Sequence, residues 1–432
     1  MLILDLIFIL LVAIMLVYLV RHYIFTHTAL YYRRGQPHYT PHDVTYQPTI
    51  SILIPARNEE RVIHQLLQRM TELTYPKDKL DVIVIDDAST DQTGKIADDF
   101  AKEYGRIRVI HRSKEEGGNG KSNALNEGLK YAKGDILYCF DADYYPQRDI
   151  LEKLTAYFVD PEVGGVQGRV TVLNEPETMM TRLVALERIG GYRVDQLARD
   201  DLRLIPQFGG TVGGFRRSLA ESLGGWDPNL LAEDTDLTLR VYLAGYRIRY
   251  VNEAECYEEA VEDWRSYWNQ RYRWARGHMQ CAFKHLWPLI KSGNLRLREK
   301  VDGFLLLNIY FVPVLIALAW ILGVTLYFIQ PPWWIESFWI ILPIFAYSTV
   351  GNFAPFFEIG IGAYLDRRVR IYWLMPLLLL PFVCNVLICT KALLDLFISK
   401  VTGNQQNTWT KTLHNGRGNC YINNLKNNVD KR

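Results

Sequence analysis

Long apolar stretches constrain this chain more than any other feature. Residues 2–20 are apolar except for Asp5, and residues 303–329, 337–361 and 371–397 are also long and mostly apolar. A membrane-spanning helix needs about 20 such residues. Between the first stretch and the others, residues 48–300 carry ordinary charge. The expectation is a membrane protein with a large aqueous domain. Its 432 residues leave room for two or three domain-sized units. The net charge of only +2 carries no nucleic-acid footprint, so no nucleic-acid partner is expected.

The first apolar stretch reads as an uncleaved anchor. It is long, no basic residue precedes it, and no small-x-small cleavage site follows. Arg21, Arg33 and Arg34 follow it while only Asp5 precedes it, which by the positive-inside rule puts the soluble domain in the cytoplasm. The six cysteines show no Cys-x-x-Cys spacing, in keeping with a reducing compartment and no zinc site.

After a polar connector, Ile50–Pro55 reads as a buried strand that Pro55 stops, followed by helical periodicity from Glu59 to Met70. A second apolar strand, Asp81–Ile85, ends at Asp86-Asp87. Ser89, Thr90 and Asp91 offer caps for a helix to about Lys102. Arg106–Ile110 and residues 135–140 read as further strands, separated by a helix from Lys121 to Ala132. Strands alternating with helices predict a mostly parallel, doubly wound α/β sheet. Such sheets bind ligands at the carboxyl ends of their strands, where this chain repeatedly places polar residues.

The fourth strand ends in Asp141-Ala142-Asp143, two carboxylates one residue apart and therefore on one face. Their hard oxygens suit Mg²⁺ or Mn²⁺ carrying a diphosphate; a polar turn closing the strand is the plainer alternative. Pro55-Ala56-Arg57-Asn58-Glu59 and Asp86-Asp87 close the first two strands and either begin the next helices or contact a nucleoside. Glu116–Ser122 is a Gly-rich loop opening a helix, a place that favours phosphate. It is not a Walker loop, because Glu115 stands where the first glycine belongs, and Lys121 remains the candidate diphosphate contact. Ala232-Glu233-Asp234 opens another helix. Acidic residues there suit the helix dipole, and they also suit a general base for a hydroxyl. Trp264, Trp268, Tyr272, Ala275, Met279 and Phe283 recur at helical spacing, with Arg265, Arg271, Arg276 and Lys284 marking a basic side. That pattern predicts an amphipathic helix on the membrane surface, an ordinary surface helix being the alternative.

In this order the motifs resemble those of the processive family 2 β-glycosyltransferases, the cellulose, hyaluronan, chitin-oligosaccharide and poly-N-acetylglucosamine synthases. The resemblance covers roughly 48–290 and the flanking apolar segments. It implies a nucleotide-diphospho-sugar transferase (GT-A) fold with α-helical transmembrane segments. It implies that Ala56, Arg57, Glu59 and Asp86 or Asp87 hold the uridine, that Lys121 approaches the diphosphate, and that Asp141 contacts the nucleotide while Asp143 ligates the metal. The family's Thr-Glu-Asp is Ala232-Glu233-Asp234 here; the threonine is lost, and Asp234 is kept as the implied base with Glu233 beside it. Gln270, Arg273 and Trp274 complete the Gln-x-x-Arg-Trp signature that binds acceptor and diphosphate. Phe208-Gly209-Gly210 falls at the acceptor-end loop, and Trp409, Lys411, Thr412 and His414 look like the family's gating loop. That closing motif and the run from Gly117 to Asn126 also resemble the monoglucosyldiacylglycerol synthases.

The resemblance therefore implies a metal-dependent inverting hexosyltransferase that moves glucose or N-acetylglucosamine from a UDP-sugar to a growing β-linked polysaccharide, which it exports. The alternatives are a synthase glucosylating a membrane lipid and a non-catalytic nucleotide-sugar-binding membrane protein. Membrane lipids are expected partners, and there is room for accessory subunits. The expected organisation is a transmembrane anchor over 1–24, a cytoplasmic glycosyltransferase domain over 48–262 and amphipathic interface helices over 263–300. A transmembrane or re-entrant region over 301–398, where Pro376 and Pro381 break the last segment, and a tail over 399–432 complete it.

Overall fold

The computed structural model describes residues 2–31, 45–329 and 353–403, with the single positions 339, 342, 416 and 421. Among the described residues, eight strands form one sheet: β1 (Ile50–Ala56), β2 (Leu80–Asp86), β3 (Ile107–His111), β4 (Ile136–Cys139), β5 (Tyr144–Pro146), β6 (Val163–Val172), β7 (Gly213–Arg216) and β8 (Arg247–Glu258). Their order across the sheet is β3-β2-β1-β4-β7-β6-β8-β5. The pairs among β3, β2, β1 and β4 are parallel, as is β6 with β8. The short strands β5 and β7 run antiparallel to their neighbours. This is the mixed, mostly parallel sheet of a GT-A fold.

Strand alternation builds both layers of the core. Ile52, Ile54, Val82 and Val84 face one apolar cluster and Leu53, Ile83 and Ile85 face the other. The helices that cover the first include α2 (Ile63–Glu72) and α3 (Thr93–Glu103); those that cover the second include α4 (Lys121–Tyr131). β1 runs one residue past Pro55, which was expected to stop it. The carbonyls of Leu53 and Ala56 show the two sides of the ladder, Leu53 accepting from Phe140 and Ala56 from Asp87. Pro55 shares its side with Leu53, the last residue of β1 paired to β4, so its missing N–H costs no ladder bond. The helices after β1 and β2 start at Ile63 and Thr93, later than expected, because Glu59 and Asp91 spend their polar groups tying the two loops together: the Glu59 N–H donates to Thr93 Oγ and the Glu60 N–H to Asp91.

After β5 come α5 (Ile150–Thr155), and after β6 a continuous run of α6 (Met179–Arg188), a π-helix over Ile189–Gln196 and α7 (Leu197–Asp201). The helices α8 (Arg217–Ser222), α9 (Glu233–Leu243) and α10 (Trp264–Lys291) follow.

Among the described residues, three helical segments are long and apolar enough to cross a membrane: Ile3–Tyr31, Leu297–Leu326 and Val369–Thr402. The first is α1 (Leu2–Tyr31), which continues beyond residue 24, where the anchor was expected to end. The second comprises α11 (Leu297–Asn308), a tight turn over Ile309–Phe311 and α12 (Val312–Ile329). Of the expected 337–361 span only α13 (Ala354–Leu365) falls within the described helices. A 3₁₀ stretch over Val369–Leu378, which holds Pro376, runs directly into α14 (Leu379–Thr402). Pro381 sits in the first turn of α14, where the N–H groups have no intrahelical acceptor anyway.

The basic side expected on α10 is only partly a solvent face. Arg271 is 8% exposed and pairs with Glu187, while Lys284 bridges Asp227 and Asp236 at 2.7 Å each. Phe283 and Trp287 stand 68% and 63% exposed, and on α11 Leu297, Val301 and Phe304 are exposed as well. This apolar stripe is suited to bilayer contact.

Candidate active site

The carboxyl ends of β1, β2 and β4 open onto a cavity of ≈ 520 Å³. Ala56, Arg57 and Glu59 follow β1 into its wall, and Asp87 follows β2. The Asp87 N–H donates to the Ala56 carbonyl at 2.9 Å, and its carboxylate pairs with Arg112, which fixes both loops. The Arg57 guanidinium lies across the Gly-rich loop. A Cβ on Gly118 would come within 2.3 Å of Arg57 Nη1, so that position accepts no side chain without displacing the arginine.

Of the acidic pair after β2, only Asp87 reaches the cavity. Asp86 is turned beneath the loop, where its Oδ2 meets His111 Nδ1 at 2.9 Å and its Oδ1 accepts from the Ser89 N–H at 3.1 Å. Burial works against a charge on His111, but the Asp86 hydrogen bond outweighs it and raises the imidazole above its ordinary range.

The fourth strand delivers Asp141 and Asp143 to the cavity floor. Lys121, at the start of α4, pairs with Asp141 and donates to the Gly210 carbonyl at 2.9 Å. Burial disfavours its ammonium, yet the Asp141 and Glu233 carboxylates hold it above the usual lysine range. Burial, with the charges of Asp141 and Glu258 close by, pushes the Asp143 carboxyl well up. Carboxylates crowded in this way have use for a cation. Among the described residues no three or more His, Cys, Asp and Glu side chains are gathered as a closed metal site. Two carboxylates with an open side fit a hard ion such as Mg²⁺, which takes one or two protein carboxylates and completes its shell with phosphate oxygens and water.

Asp234 stands in the first turn of α9, its Oδ1 accepting from the Thr235 N–H at 2.7 Å. Gly210 presses against its other face, since a Cβ there would lie 3.3 Å from Asp234 Oδ2. Glu233, beside it, also lines the cavity, and burial first, then the Asp234 charge, pushes its carboxyl up to about 7. Gln270, Arg273 and Trp274 line the cavity from one face of α10. Trp274 is flanked by two guanidiniums, Arg271 at 4.3 Å and Arg188 at 5.2 Å from its ring centroid.

Gly209 and Gly210 reach the cavity wall but Phe208 does not. Its ring is fully buried edge-on to Phe215 at 4.8 Å, so it supports the loop from behind. Trp409, Lys411, Thr412 and His414 lie outside the described residues.

Two other lining residues, Glu258 and His278, were not singled out from the sequence. Glu258, at the end of β8, takes a two-pronged bond from Arg188, at 2.5 and 3.0 Å, and the Tyr144 hydroxyl at 2.7 Å. His278 lies two turns beyond Gln270 on α10. Its ring stacks on Tyr310 at 4.5 Å, its Nδ1 meets Thr235 Oγ at 3.0 Å, and burial lowers its proton affinity. Periodicity could have flagged His278, because it falls eight residues after Gln270 on the same helical face.

Residues 48–277 match the family model described as glycosyltransferase like family 2. The chain belongs to this family. Among the relatives of this family 2 glycosyltransferase, a probable glycosyltransferase YdaM of Bacillus subtilis is 40% identical over 256 residues, 58% of this chain and 60% of that protein. A beta-monoglucosyldiacylglycerol synthase of Synechocystis is 32% identical over 275 residues, 62% of this chain and 55% of that protein. The chain thus matches little more than half the length of these curated relatives. A solved structure of mannosyltransferase PcManGT from Pyrobaculum calidifontis, in complex with GDP-Man and Mn²⁺, aligns with a TM-score of 0.60. It covers 83% of this chain and 98% of that one at 22% identity, a likeness of fold.

Proposed function

We propose that this glycosyltransferase moves one hexose from a UDP-sugar to the hydroxyl of a membrane lipid, with inversion at the anomeric carbon. The observation that carries the reading is a single cavity shared by strand-end carboxylates and membrane-class segments: Asp141, Asp143 and Asp234 line it together with Leu306, Ile309 and Tyr310. Similarity to the monoglucosyldiacylglycerol synthase supports the lipid over a polymer as acceptor.

In this reading Ala56, Arg57, Glu59 and Asp87 receive the nucleoside, and Lys121 faces the diphosphate. Asp143, supported by Asp141, would hold Mg²⁺ or Mn²⁺, which supplies positive charge to the departing diphosphate. Asp234 accepts the proton of the acceptor hydroxyl as its oxygen bonds to the anomeric carbon and the sugar–phosphate bond breaks. Gln270, Arg273 and Trp274 position the acceptor and phosphates. The aqueous domain then lies on the cytoplasmic side, where UDP-sugars are. A polysaccharide synthase is the second reading, favoured by the intact Gln270-x-x-Arg273-Trp274 at the cavity.

Purified full-length protein with Mg²⁺ or Mn²⁺, UDP-glucose or UDP-N-acetylglucosamine, and dioleoylglycerol in mixed micelles tests the choice. A single chloroform-soluble glycolipid is expected; a ladder of water-soluble or insoluble polymer would overturn the lipid reading. Asp234→Asn should abolish transfer while leaving UDP binding intact, and wild-type turnover by that variant would remove Asp234 as the base.

A further inference from the structure

The cavity has a second polar region, away from the strand ends and against the membrane helices, that the transfer chemistry does not use. Asp195, Gln196, Arg199 and Glu358 line it. Arg199 is 1% exposed; its Nε donates to Asp195 at 2.6 Å and its Nη1 pairs with Asp302 of α11. Arg21 of α1 joins from the other side, bonding Asp195 at 2.6 Å. Glu358 is buried on the otherwise apolar α13 and meets His22 of α1. Ionisable groups set among apolar, membrane-class helices are costly to keep and usually serve a function.

This cluster is incompletely paired. Arg199 Nη2, at the cavity wall, and Arg21 Nη1, behind it, are buried without a hydrogen-bond partner, whereas Arg21 Nε faces Asp302 Oδ1 at 3.9 Å. The open position at the cavity wall is a guanidinium donor, the complement of a carbonyl oxygen, and the Glu358 carboxylate on the same wall supplies an acceptor for a hydroxyl. Two guanidiniums, Arg21 and Arg199, are matched by two carboxylates, Asp195 and Asp302, so the region holds no surplus positive charge. That balance disfavours a phosphate and suits an uncharged head group.

The region is also connected to Asp234. Gln196 and Gln207 exchange bonds at 2.6 and 2.9 Å, Gln207 donates to Thr235 Oγ at 2.5 Å, and the Thr235 N–H donates to Asp234. A head group seated near Arg199 and Glu358 would lie along a bonded track that ends at the general base, with its tails toward Leu306 and Ile309.

We propose that the Arg199–Glu358 region is the acceptor subsite and that it takes the uncharged, hydroxyl-bearing glycerol ester head of a membrane lipid. Arg199 donates to an ester carbonyl and the Glu358 carboxylate accepts from a hydroxyl. The proposal rests on the lipid-acceptor reading above.

Steady-state kinetics of the full chain with UDP-glucose and dioleoylglycerol in mixed micelles test it. Glu358→Gln should raise the acceptor KM about ten- to a hundredfold, the loss of a hydrogen bond to a charged group, with the KM for UDP-glucose changed by less than about twofold. An unchanged acceptor KM, or equal rises for donor and acceptor, would overturn the subsite. Wild-type protein offers a measurement free of folding effects: a diazirine-bearing dioleoylglycerol should crosslink to residues 354–365 or 297–310, with dioleoylglycerol competing. Adducts confined elsewhere, or competition by phosphatidylglycerol or a soluble β-glucan as effective as by dioleoylglycerol, would overturn it. A wild-type enzyme that makes polymer and no glycolipid would sink the lipid reading itself. Glycolipid synthesis with a Glu358→Gln acceptor KM equal to wild type would sink the subsite alone.

Discussion

Replacing Gly210 with alanine separates backbone strain from active-site geometry. Gly210 has φ +82°, in the left-handed region, where an L-residue costs about 1–2 kcal/mol. Its new Cβ would stand 3.3 Å from Asp234 Oδ2 and 3.6 Å from Lys121 Nζ. Neither neighbour is free to retreat. Asp234 accepts from the Thr235 N–H at 2.7 Å, and Lys121 is bonded to the Gly210 carbonyl itself at 2.9 Å. Gly224 supplies the control, with φ +78° and nothing within 4 Å of its would-be Cβ. Gly224→Ala and Gly210→Ala should therefore lose a similar ~1–2 kcal/mol of stability. Only Gly210→Ala should also lose turnover, by roughly ten- to a hundredfold, since a displacement approaching 1 Å at a reacting group costs about that much. Thermal inactivation in detergent and kcat for glycolipid formation measure the two effects. Equal kcat values for the two variants would show that Gly210 does not pack against a catalytic carboxylate.

The remaining predictions concern charge. Glu233, raised to about 7 by burial and then Asp234, keeps a proton in the folded enzyme that the unfolded chain has already released above about pH 4.5. Stability should therefore fall as pH rises from there to about 7, and Glu233→Gln should flatten that slope; parallel melting-temperature profiles for both proteins would refute the shift. EDTA should abolish transfer and Mg²⁺ or Mn²⁺ restore it, whereas full activity in EDTA would remove Asp141 and Asp143 from the leaving-group site. Arg271→Met should destabilise by about 1–3 kcal/mol because Glu187 loses its guanidinium partner and keeps only the Tyr267 hydroxyl, and adding Glu187→Gln should recover part of the loss. Additive losses in that double-mutant cycle would show that the pair is not coupled.

The first half of the aqueous domain was legible because its signals are local. Each of β1 to β4 is an apolar run closed by polar residues, and the ends of three of them meet at the cavity. Beyond Asp143 the sheet depends on distant partners. β6 pairs with β8, some eighty residues later, and a register shift near Gly168 interrupts that pairing. Neither strand has a periodicity that announces such a partner, so Glu258 and its Arg188 clamp stayed hidden. Adjacent residues also diverged in ways composition cannot register. Asp86 and Asp87 point opposite ways at a strand end, because successive side chains alternate. Arg271 looked like part of a basic face, yet its surroundings are set by Glu187 on another helix. Phe208 belonged to the right loop, but its ring turns into the core.

The π-helix over Ile189–Gln196 acts as a gear change between two tasks. Before it, Arg188 faces Glu258 on the sheet; after it, Arg199 faces the membrane helices, with Asp195 at its close. A π turn packs extra residues into a turn, so the face that follows is re-aimed relative to an α-helix of the same sequence. Deleting one residue would swing everything downstream by about 100° and carry Arg199 off its partners. The number of residues between Arg188 and Arg199 is thus a specification in its own right. As copies of this gene diverge, substitutions within 189–196 should accumulate far more readily than insertions or deletions.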